Sequence, residues 1–144
     1  MEIYQKLLSA IENKEGVALI TITKVVNRKA GDHHDSYLLG SKLLVWSDGR
    51  LFSHCELPTQ LRGHILQDAL QALESRDSHT SIAGFDGCEI EYYIEIYAPP
   101  LHLIVAGAGH VAKPVVQMGK ILGFNITVIC DRPEFANKTQ FPWA

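Results

Sequence analysis

The sequence predicts an α/β protein in which an N-terminal α+β part precedes a strand-helix-strand unit. Residues 17–26 and 88–97 are rich in β-branched and aromatic side chains, and the apolar run 101–106 leads through closely spaced glycines into a helix-like stretch. Pro99 and Pro100 block both a helix and a strand ladder between these parts. We therefore predict two domains, over residues 1–98 and 101–144.

The first half of the N-terminal part predicts a helix, a strand and a hairpin. Apolar side chains recur at helical spacing over residues 2–13, and "VALITITKVV" is strand-like. The polar, glycine-bearing stretch 27–39 reads as a long loop. In "SKLLVWSDGRLFS", Asp48 and Gly49 supply turn residues between two apolar runs, which is typical of a β-hairpin.

The second half predicts a helix, an exit loop and a strand. Pro58 suits a first helical turn, and one apolar stripe then runs to about Glu74, made of Leu61, Ile65, Leu66, Ala69, Leu70 and Leu73. The polar stretch 75–87 reads as a loop. In "CEIEYYIEIYAPP" apolar and polar side chains alternate, so we expect a strand with its row of glutamates on a solvated face.

The C-terminal part carries a glycine turn between an apolar strand and a helix. The strand 101–106 is followed by the turn 107–112, a helix over 113–122 capped by Gly123, and the strand "NITVIC". Asp131 follows the first glycine, Gly107, by 24 positions. This order of strand, G-x-G-x-x-A, helix, strand and acid is typical of a dinucleotide-binding βαβ unit, where the spacing is about 20.

Each residue of the motif has a physical role in such a site. Gly107 permits the tight turn, Gly109 lets backbone N–H groups approach a pyrophosphate, and Ala112 allows close packing of helix on strand. Asp131 can accept a hydrogen bond from a ribose 2′-hydroxyl. The alternative is that the glycines serve only the turn.

Neighbouring polar residues allow a ligand role or an ordinary one. His110 lies at the mouth of the turn, where it can touch a ligand or cap the helix, and Arg132 can pair with a 2′-phosphate or form a surface salt bridge. The residues Asp32, His33, His34, Asp35, His54 and Cys55 carry metal-capable atoms. No spacing fixes them on one face, so we favour a solvated loop over a metal site.

Composition excludes several classes of function. The net charge is -3 over 144 residues, with no Lys/Arg cluster, which argues against nucleic acid. No apolar run approaches the ~20 residues that span a bilayer, and the N-terminal stretch is amphipathic rather than signal-like, so we expect a cytoplasmic protein outside the membrane. Three cysteines without C-x-x-C spacing indicate reduced thiols.

The stretch "LHLIVAGAGHVAKPVVQMGKILGFNITVICDRPEFANKTQFPWA" closely resembles the opening of the C-terminal Rossmann domain of the XdhC/CoxI family. These are accessory proteins of xanthine dehydrogenase and related molybdenum hydroxylases. "GSKLLVWSDGRLF" and "EIEYYIEIYAPP" resemble the family's N-terminal domain more loosely. The resemblance implies a non-enzymatic chaperone that binds molybdenum cofactor (molybdopterin), assists its maturation and delivers it to an apo molybdenum hydroxylase.

The sequence departs from the family at two motifs. Members usually carry Gly-Ser-x-Pro-Arg before the first hairpin strand and a triple glycine with cysteine after the hairpin, whereas this chain has "NRKAGDHHDSYLLGSK" and "FSHCELPTQLRGH". Cys55 comes a few positions too early to be equated with the family cysteine. The residues alone therefore leave two other functions open, an NAD(P)-binding oxidoreductase or redox sensor and a degenerate structural or regulatory module.

The C-terminal unit also predicts self-association. The family's Rossmann domain continues through further strands and helices, so we expect a truncated domain here. Eight apolar side chains serve this unit, namely Leu103, Val105, Val115, Val116, Ile121, Leu122, Ile126 and Val128. One helix covers one face of a parallel pair, and leaving half of this surface wet would cost on the order of 10 kcal/mol. We therefore expect a homo-oligomer, such as a homodimer, in which a second copy completes the sheet.

Overall fold

The computed structural model describes residues 2–27, 38–85 and 87–144. The chain divides into two compact units, Met1–Pro99 and Pro100–Ala144. The architecture mixes helices with β-sheets, and the predicted α/β class is confirmed. No helix within the described ranges is long and apolar enough to cross a membrane.

The first unit folds around an antiparallel sheet. Its elements are α1 (Glu2–Glu12), β1 (Val17–Asn27), β2 (Lys42–Trp46), β3 (Leu51–Ser53), α2 (Thr59–Ser75), β4 (His79–Phe85) and β5 (Cys88–Tyr97). The five strands lie in the order β3-β2-β1-β5-β4, and every neighbouring pair is antiparallel. The predicted first helix, first strand, hairpin and second helix are all present, and Pro58 is the residue directly before α2.

Each face of this sheet has its own apolar core. α2 contributes Leu61, Ile65, Ala69 and Ala72 to the larger core, where alternate residues of β5 such as Ile90 are fully buried. α1 contributes Ile3, Leu7 and Ala10 to the smaller core on Leu44 and Trp46. The alternation predicted for β5 is confirmed, because Tyr92 and Ile94 are buried while Tyr93 between them is exposed.

The prediction of a loop over residues 75–87 is wrong, because β4 occupies residues 79–85. β4 pairs antiparallel with β5 along its whole length, from His79 opposite Ile94 to Phe85 opposite Cys88. The run HTSIAGF is short in large apolar residues, so the pairing with β5 and the packing of Ala83 in the core stabilise this strand more than its own propensity does. The predicted loop 27–39 lies mostly outside the described residues, and Asn27 is the last residue of β1.

A polar cluster ties α2 to the two strands at the sheet edge. The Asp68 carboxylate on α2 accepts hydrogen bonds from the Tyr92 hydroxyl at 2.5 Å and from the Ser81 hydroxyl at 2.7 Å. Burial, with the hydrogen bond to Asp68, raises the pKa of the fully buried Tyr92 above its ordinary value. The phenol is therefore a neutral donor that fixes the position of the carboxylate.

The second unit is a strand-helix-strand fold with a C-terminal tail. Its elements are β6 (His102–Ala106), α3 (Ala112–Ile121) and β7 (Asn125–Ile129), and the two strands pair in parallel from His102 opposite Asn125 to Ala106 opposite Ile129. Its core consists of four buried residues, Ala108, Ala112, Val116 and Phe141, with the inward side chains of both strands partly buried against them. Phe141 shows that the tail also covers this face.

The outer face of β6 and β7 is open to solvent. Ile104 is 60% exposed and Ile129 56% exposed, while Leu103 and Val105 on the opposite face are partly buried. Two residues counted as core from the sequence, Ile121 and Leu122, are exposed by 84% and 73%. Both lie at the end of α3, away from the face that packs on the strands, so a single copy of the chain does not bury them.

Candidate functional site

The glycine turn begins where β6 ends. Gly107 has φ +97°, a backbone conformation that side-chain-bearing residues rarely adopt. Its N–H donates to the carbonyl of Ile129 at 2.7 Å, so the ladder between the parallel strands extends one residue beyond Ala106. The chain then turns from the carboxyl end of the sheet into α3, as the sequence motif predicts.

Backbone N–H groups without an acceptor line the beginning of α3. Ala112 N–H donates to the Gly109 carbonyl at 3.0 Å, but within the described ranges the N–H groups of Gly109, His110 and Val111 have no hydrogen-bond acceptor. No side chain caps α3, and its first turn contains Lys113 and no acidic residue. Free donors, a positive helix end and a lysine together favour an anion at this position.

The two glycines of the turn differ in what they do for the fold. A Cβ on either would have no atom within 4 Å, but only Gly107 has a positive φ. Gly107 is therefore required by the backbone. Gly109 is not, and the open space above it is what a phosphate group needs in order to reach the N–H donors.

α3 packs tightly on the strands at Gly119, a contact that the sequence analysis missed. A Cβ at Gly119 would lie 2.7 Å from Leu103 Cδ2 and 3.3 Å from Ile126 Cδ1. Ala112, the predicted contact residue, is buried in the same core with 7% exposure. A glycine inside an otherwise regular helix was the available signal, because such a residue usually has a packing reason.

Asp131 lies at the same end of the sheet as the glycine turn. It follows β7 by two residues, as Gly107 follows β6 by one, and parallel strands end at one edge. The carboxylate is exposed, and its Oδ1 accepts a weak hydrogen bond from the half-buried Cys130 thiol at 3.6 Å. The structure thus brings the predicted turn and the predicted acid to one corner, which we call the glycine corner (residues 107–111 and Asp131).

His110 and Arg132 are exposed residues of the same region. Among the described residues neither side chain has a hydrogen-bond or ion-pair partner, so both are available to a ligand and neither is fixed by the fold. The Arg132 backbone carbonyl accepts from Phe135 N–H at 3.1 Å, which begins the turn of the tail. The alternative roles predicted for them, a helix cap for His110 and a salt bridge for Arg132, are not observed.

Of the other candidate residues, only His54 and Cys55 lie in the described part of the chain. Asp32, His33, His34 and Asp35 lie outside the described residues. In the part of the chain that is described, no group of three or more His, Cys, Asp or Glu side chains could hold a metal ion. His54 stacks edge-on against Phe52, with ring centroids 5.1 Å apart.

Cys55 lines an open cavity of about 470 Å³ in the first unit, between β3 and the beginning of α2. The Ser53 hydroxyl lies 3.4 Å from the Cys55 sulfur and also donates to the Cys55 carbonyl at 2.9 Å. These contacts close a local turn after β3. Cys55, Cys88 and Cys130 form no disulfide bond within the described structure.

The strand, glycine turn, helix and parallel strand define a Rossmann-type βαβ unit, with the glycine corner at the carboxyl end of its strands. Residues 103–144 match the family model of the XdhC Rossmann domain. The C-terminal unit is therefore similar to an XdhC Rossmann domain, which agrees with the resemblance noted in the sequence. The match does not extend to the first unit.

A comparison of structures aligns this chain with a crystal structure of a xanthine dehydrogenase from Bacillus halodurans. The alignment has 14% sequence identity and a TM-score of 0.43, and it covers 96% of this chain and 66% of that one. This chain thus spans just under two thirds of the length of that protein. No curated protein matches its sequence.

Proposed function

We propose that this protein is an XdhC-type accessory factor of the cytoplasm, which binds molybdenum cofactor and delivers it to an apo enzyme of the xanthine dehydrogenase type. The observation that supports this most is the match of residues 103–144 to the XdhC Rossmann domain, in the same unit that carries the glycine corner. The proposal assigns no reaction to the chain, because a carrier needs only to hold and release its cargo.

The donor set of the glycine corner fits the phosphate end of such a cofactor. Three backbone N–H groups, at Gly109, His110 and Val111, have no acceptor among the described residues, and a Cβ on Gly109 would meet no atom within 4 Å. Asp131 offers a carboxylate to a hydroxyl or ring N–H group on the rest of the ligand. Molybdopterin carries a phosphate and a pterin ring with N–H donors, so these two features are matched to chemically different parts of one molecule.

The Cys55 cavity belongs to the first unit and carries no part of this proposal. The glycine run that accompanies the family cysteine is missing here, and the Cys55 hydrogen bonds are explained by the turn after β3. We therefore assign cofactor binding to residues Gly107, Gly109, His110, Ala112, Asp131 and Arg132, with Ala112 acting through the packing of α3.

A second candidate function is an NAD(P)-binding oxidoreductase or redox sensor. The specific observation in its favour is Asp131 at the carboxyl end of the second strand, where an acid accepts hydrogen bonds from the adenosine ribose of NAD. NAD(P) and molybdopterin both present phosphate groups, so the anion-binding end of the corner does not separate them. The two ligands differ at their other end, which is a ribose in NAD(P) and a pterin in molybdopterin.

Titration of the purified chain with molybdopterin, NAD⁺, NADH and NADP⁺ in parallel, by calorimetry, distinguishes these functions. The accessory role requires micromolar or tighter binding of molybdopterin and much weaker binding of the nicotinamide cofactors. The reverse result supports the second candidate. A chain that binds none of the four is a structural or regulatory module, and the proposed function is then wrong.

Asp131→Asn is the matched variant for this titration. It keeps the size of the side chain and removes the charge, so an effect on NAD⁺ that is absent for molybdopterin would place the acid at the ribose. Transfer to a client is checked separately, by mixing the loaded chain with an apo molybdenum hydroxylase and measuring the recovery of its activity against free molybdopterin.

A further inference from the structure

Beside the face that packs on the strands, α3 has a second apolar stripe that is exposed to solvent. Val111, Met118 and Leu122 are exposed by 63%, 57% and 73%, and Val115 between them is partly buried. We call these four residues the α3 seam. Ile121, 84% exposed, flanks it. The residues that pack on β6 and β7 are different ones, Ala112, Val116 and Gly119.

The spacing of the seam is that of a helix-packing surface. Its residues follow one another at intervals of four, three and four, which is the alternation of the two core positions in a coiled coil. The charged residues of α3, Lys113 and Lys120, lie on the other flank of the helix, about 180° around the axis at 100° per residue. A helix with the same pattern can therefore pack against the seam without bringing like charges together.

We infer that α3 docks against α3 of a second copy of this chain through the α3 seam. Self-pairing fits because the seam is apolar throughout and has no charge that would need an opposite charge across the interface. The outer face of β6 and β7 is a poorer interface, because it is half polar and His102 Nε2 already pairs with Thr127 Oγ1 at 2.8 Å. The seam, rather than that sheet face, is where the second copy binds.

The area of the seam sets the strength of the contact. A fully exposed aliphatic side chain presents on the order of 100 Å² of apolar surface, so the three strongly exposed seam residues and the flanking Ile121 together offer roughly 300 Å² per copy. Two copies would bury roughly 600 Å² of apolar area, which corresponds to about 1,000 Å² in total when polar neighbours are included. This is the low end for a specific interface, so we expect a weak and reversible dimer.

Sedimentation velocity of the whole chain from about 1 to 300 µM tests this inference. We expect a monomer at the lowest concentration and a dimer at the highest. Met118→Glu should weaken the association at least tenfold, because it places a charge in the middle of the seam, and Leu122→Glu should do the same. Both side chains are largely exposed, so neither change removes packing from the monomer.

Lys120→Glu is the control, since it changes charge on the same helix away from the seam and should leave the association within threefold. Hydrogen exchange provides the second readout, with protection of residues 111–122 that rises with protein concentration in the parent chain and not in Met118→Glu. A chain that stays monomeric at 300 µM, or a dimer that Met118→Glu and Leu122→Glu leave intact, overturns the inference. Both results are independent of which cofactor the glycine corner binds.

Discussion

Replacing Gly109 by alanine separates the binding role of the glycine turn from its structural role. The new Cβ would point into open space, with no atom within 4 Å, and the backbone at Gly109 has no positive φ. Alanine also restricts the unfolded chain more than glycine does, so we expect an unfolding free energy that is unchanged or higher by about 0.4–1 kcal/mol. If a phosphate sits above this residue, the same methyl group occupies its place.

The magnitude for the ligand follows from the donors that the methyl group would block. Loss of one or two charge-assisted hydrogen bonds from the N–H groups of Gly109 and His110, at about 1.5–3 kcal/mol each, predicts binding weakened by at least tenfold. Gly107→Ala should behave in the opposite way. Its φ of +97° is strained for alanine, and we expect a loss of about 1–3 kcal/mol of stability.

The assay combines calorimetric titration, with molybdopterin and NADH as probes, and hydrogen exchange over residues 102–129. Gly84→Ala is the matched control, because its Cβ also meets nothing within 4 Å and it lies on β4 in the first unit. A Gly109→Ala chain that binds either probe as tightly as its parent would refute the assignment of the open space to a ligand. A chain destabilised as much as Gly107→Ala would show that Gly109 serves only the turn.

Three further predictions concern packing and ionisation. Gly63→Ala should stabilise α2 by about 1 kcal/mol, because its new Cβ meets no atom within 4 Å. Gly119→Ala should leave the stability of its unit unchanged or lower it by up to about 2 kcal/mol, because its new Cβ would lie 2.7 Å from Leu103 Cδ2. Urea denaturation, with hydrogen exchange measured over each helix, compares the two variants. Tyr92→Phe should cost about 1–3 kcal/mol at pH 7 by removing the donor to Asp68, as chemical denaturation would show. Because the pKa of Tyr92 is raised in the folded chain, only the unfolded chain releases this proton just above pH 10, so the free energy of unfolding should fall with pH in that range. The fall should be less steep in Tyr92→Phe. Equal slopes of unfolding free energy against pH in the two chains would contradict this.

Elements with local signals were predictable from the sequence. The hairpin of β2 and β3 was found because Asp48-Gly49 encodes its turn, in which Gly49 has φ +85°. The glycine corner was found for the same reason, since Gly107 and the strand before it act within a few residues. In each case the conformation depends on neighbours in the chain more than on distant contacts.

β4 had a local signal that composition obscured. Asp86-Gly87 stands between "HTSIAGF" and "CEIEYYIEIY", and Gly87 has φ +78°, so the same turn rule that gave the first hairpin applies here. The seryl, threonyl and glycyl residues of the first run gave it the composition of a loop. Its pairing with β5 and the bond from Ser81 to Asp68 come from residues distant in the sequence, which propensity does not weigh.

The exposed seam of α3 was missed for a different reason. Periodicity shows that a helix has apolar positions, but it does not show which of them face the sheet, and α3 has two apolar sets side by side. Gly119 lies inside, where packing against Leu103 and Ile126 leaves no room for a larger residue, and Ala112 and Val116 are buried on the same face. Three larger residues, Val111, Met118 and Leu122, lie on the flank instead, although size and hydrophobicity alone would suggest that they are buried.

The small core of the second unit links its stability to its ligands. Four buried residues hold β6, α3, β7 and the tail together, whereas the first unit has a core on each face of its sheet. Anything that binds only the folded unit stabilises it by RT ln(1 + [L]/Kd), about 2.7 kcal/mol at a hundredfold excess over Kd. That amount is a large part of the stability that such a unit can have. A ligand at the glycine corner and a second copy at the α3 seam would therefore each suppress local unfolding of this unit. Occupancy of either site should therefore slow hydrogen exchange over residues 102–129, and Val111 belongs to both sites, through its N–H at the glycine corner and its exposed side chain at the seam.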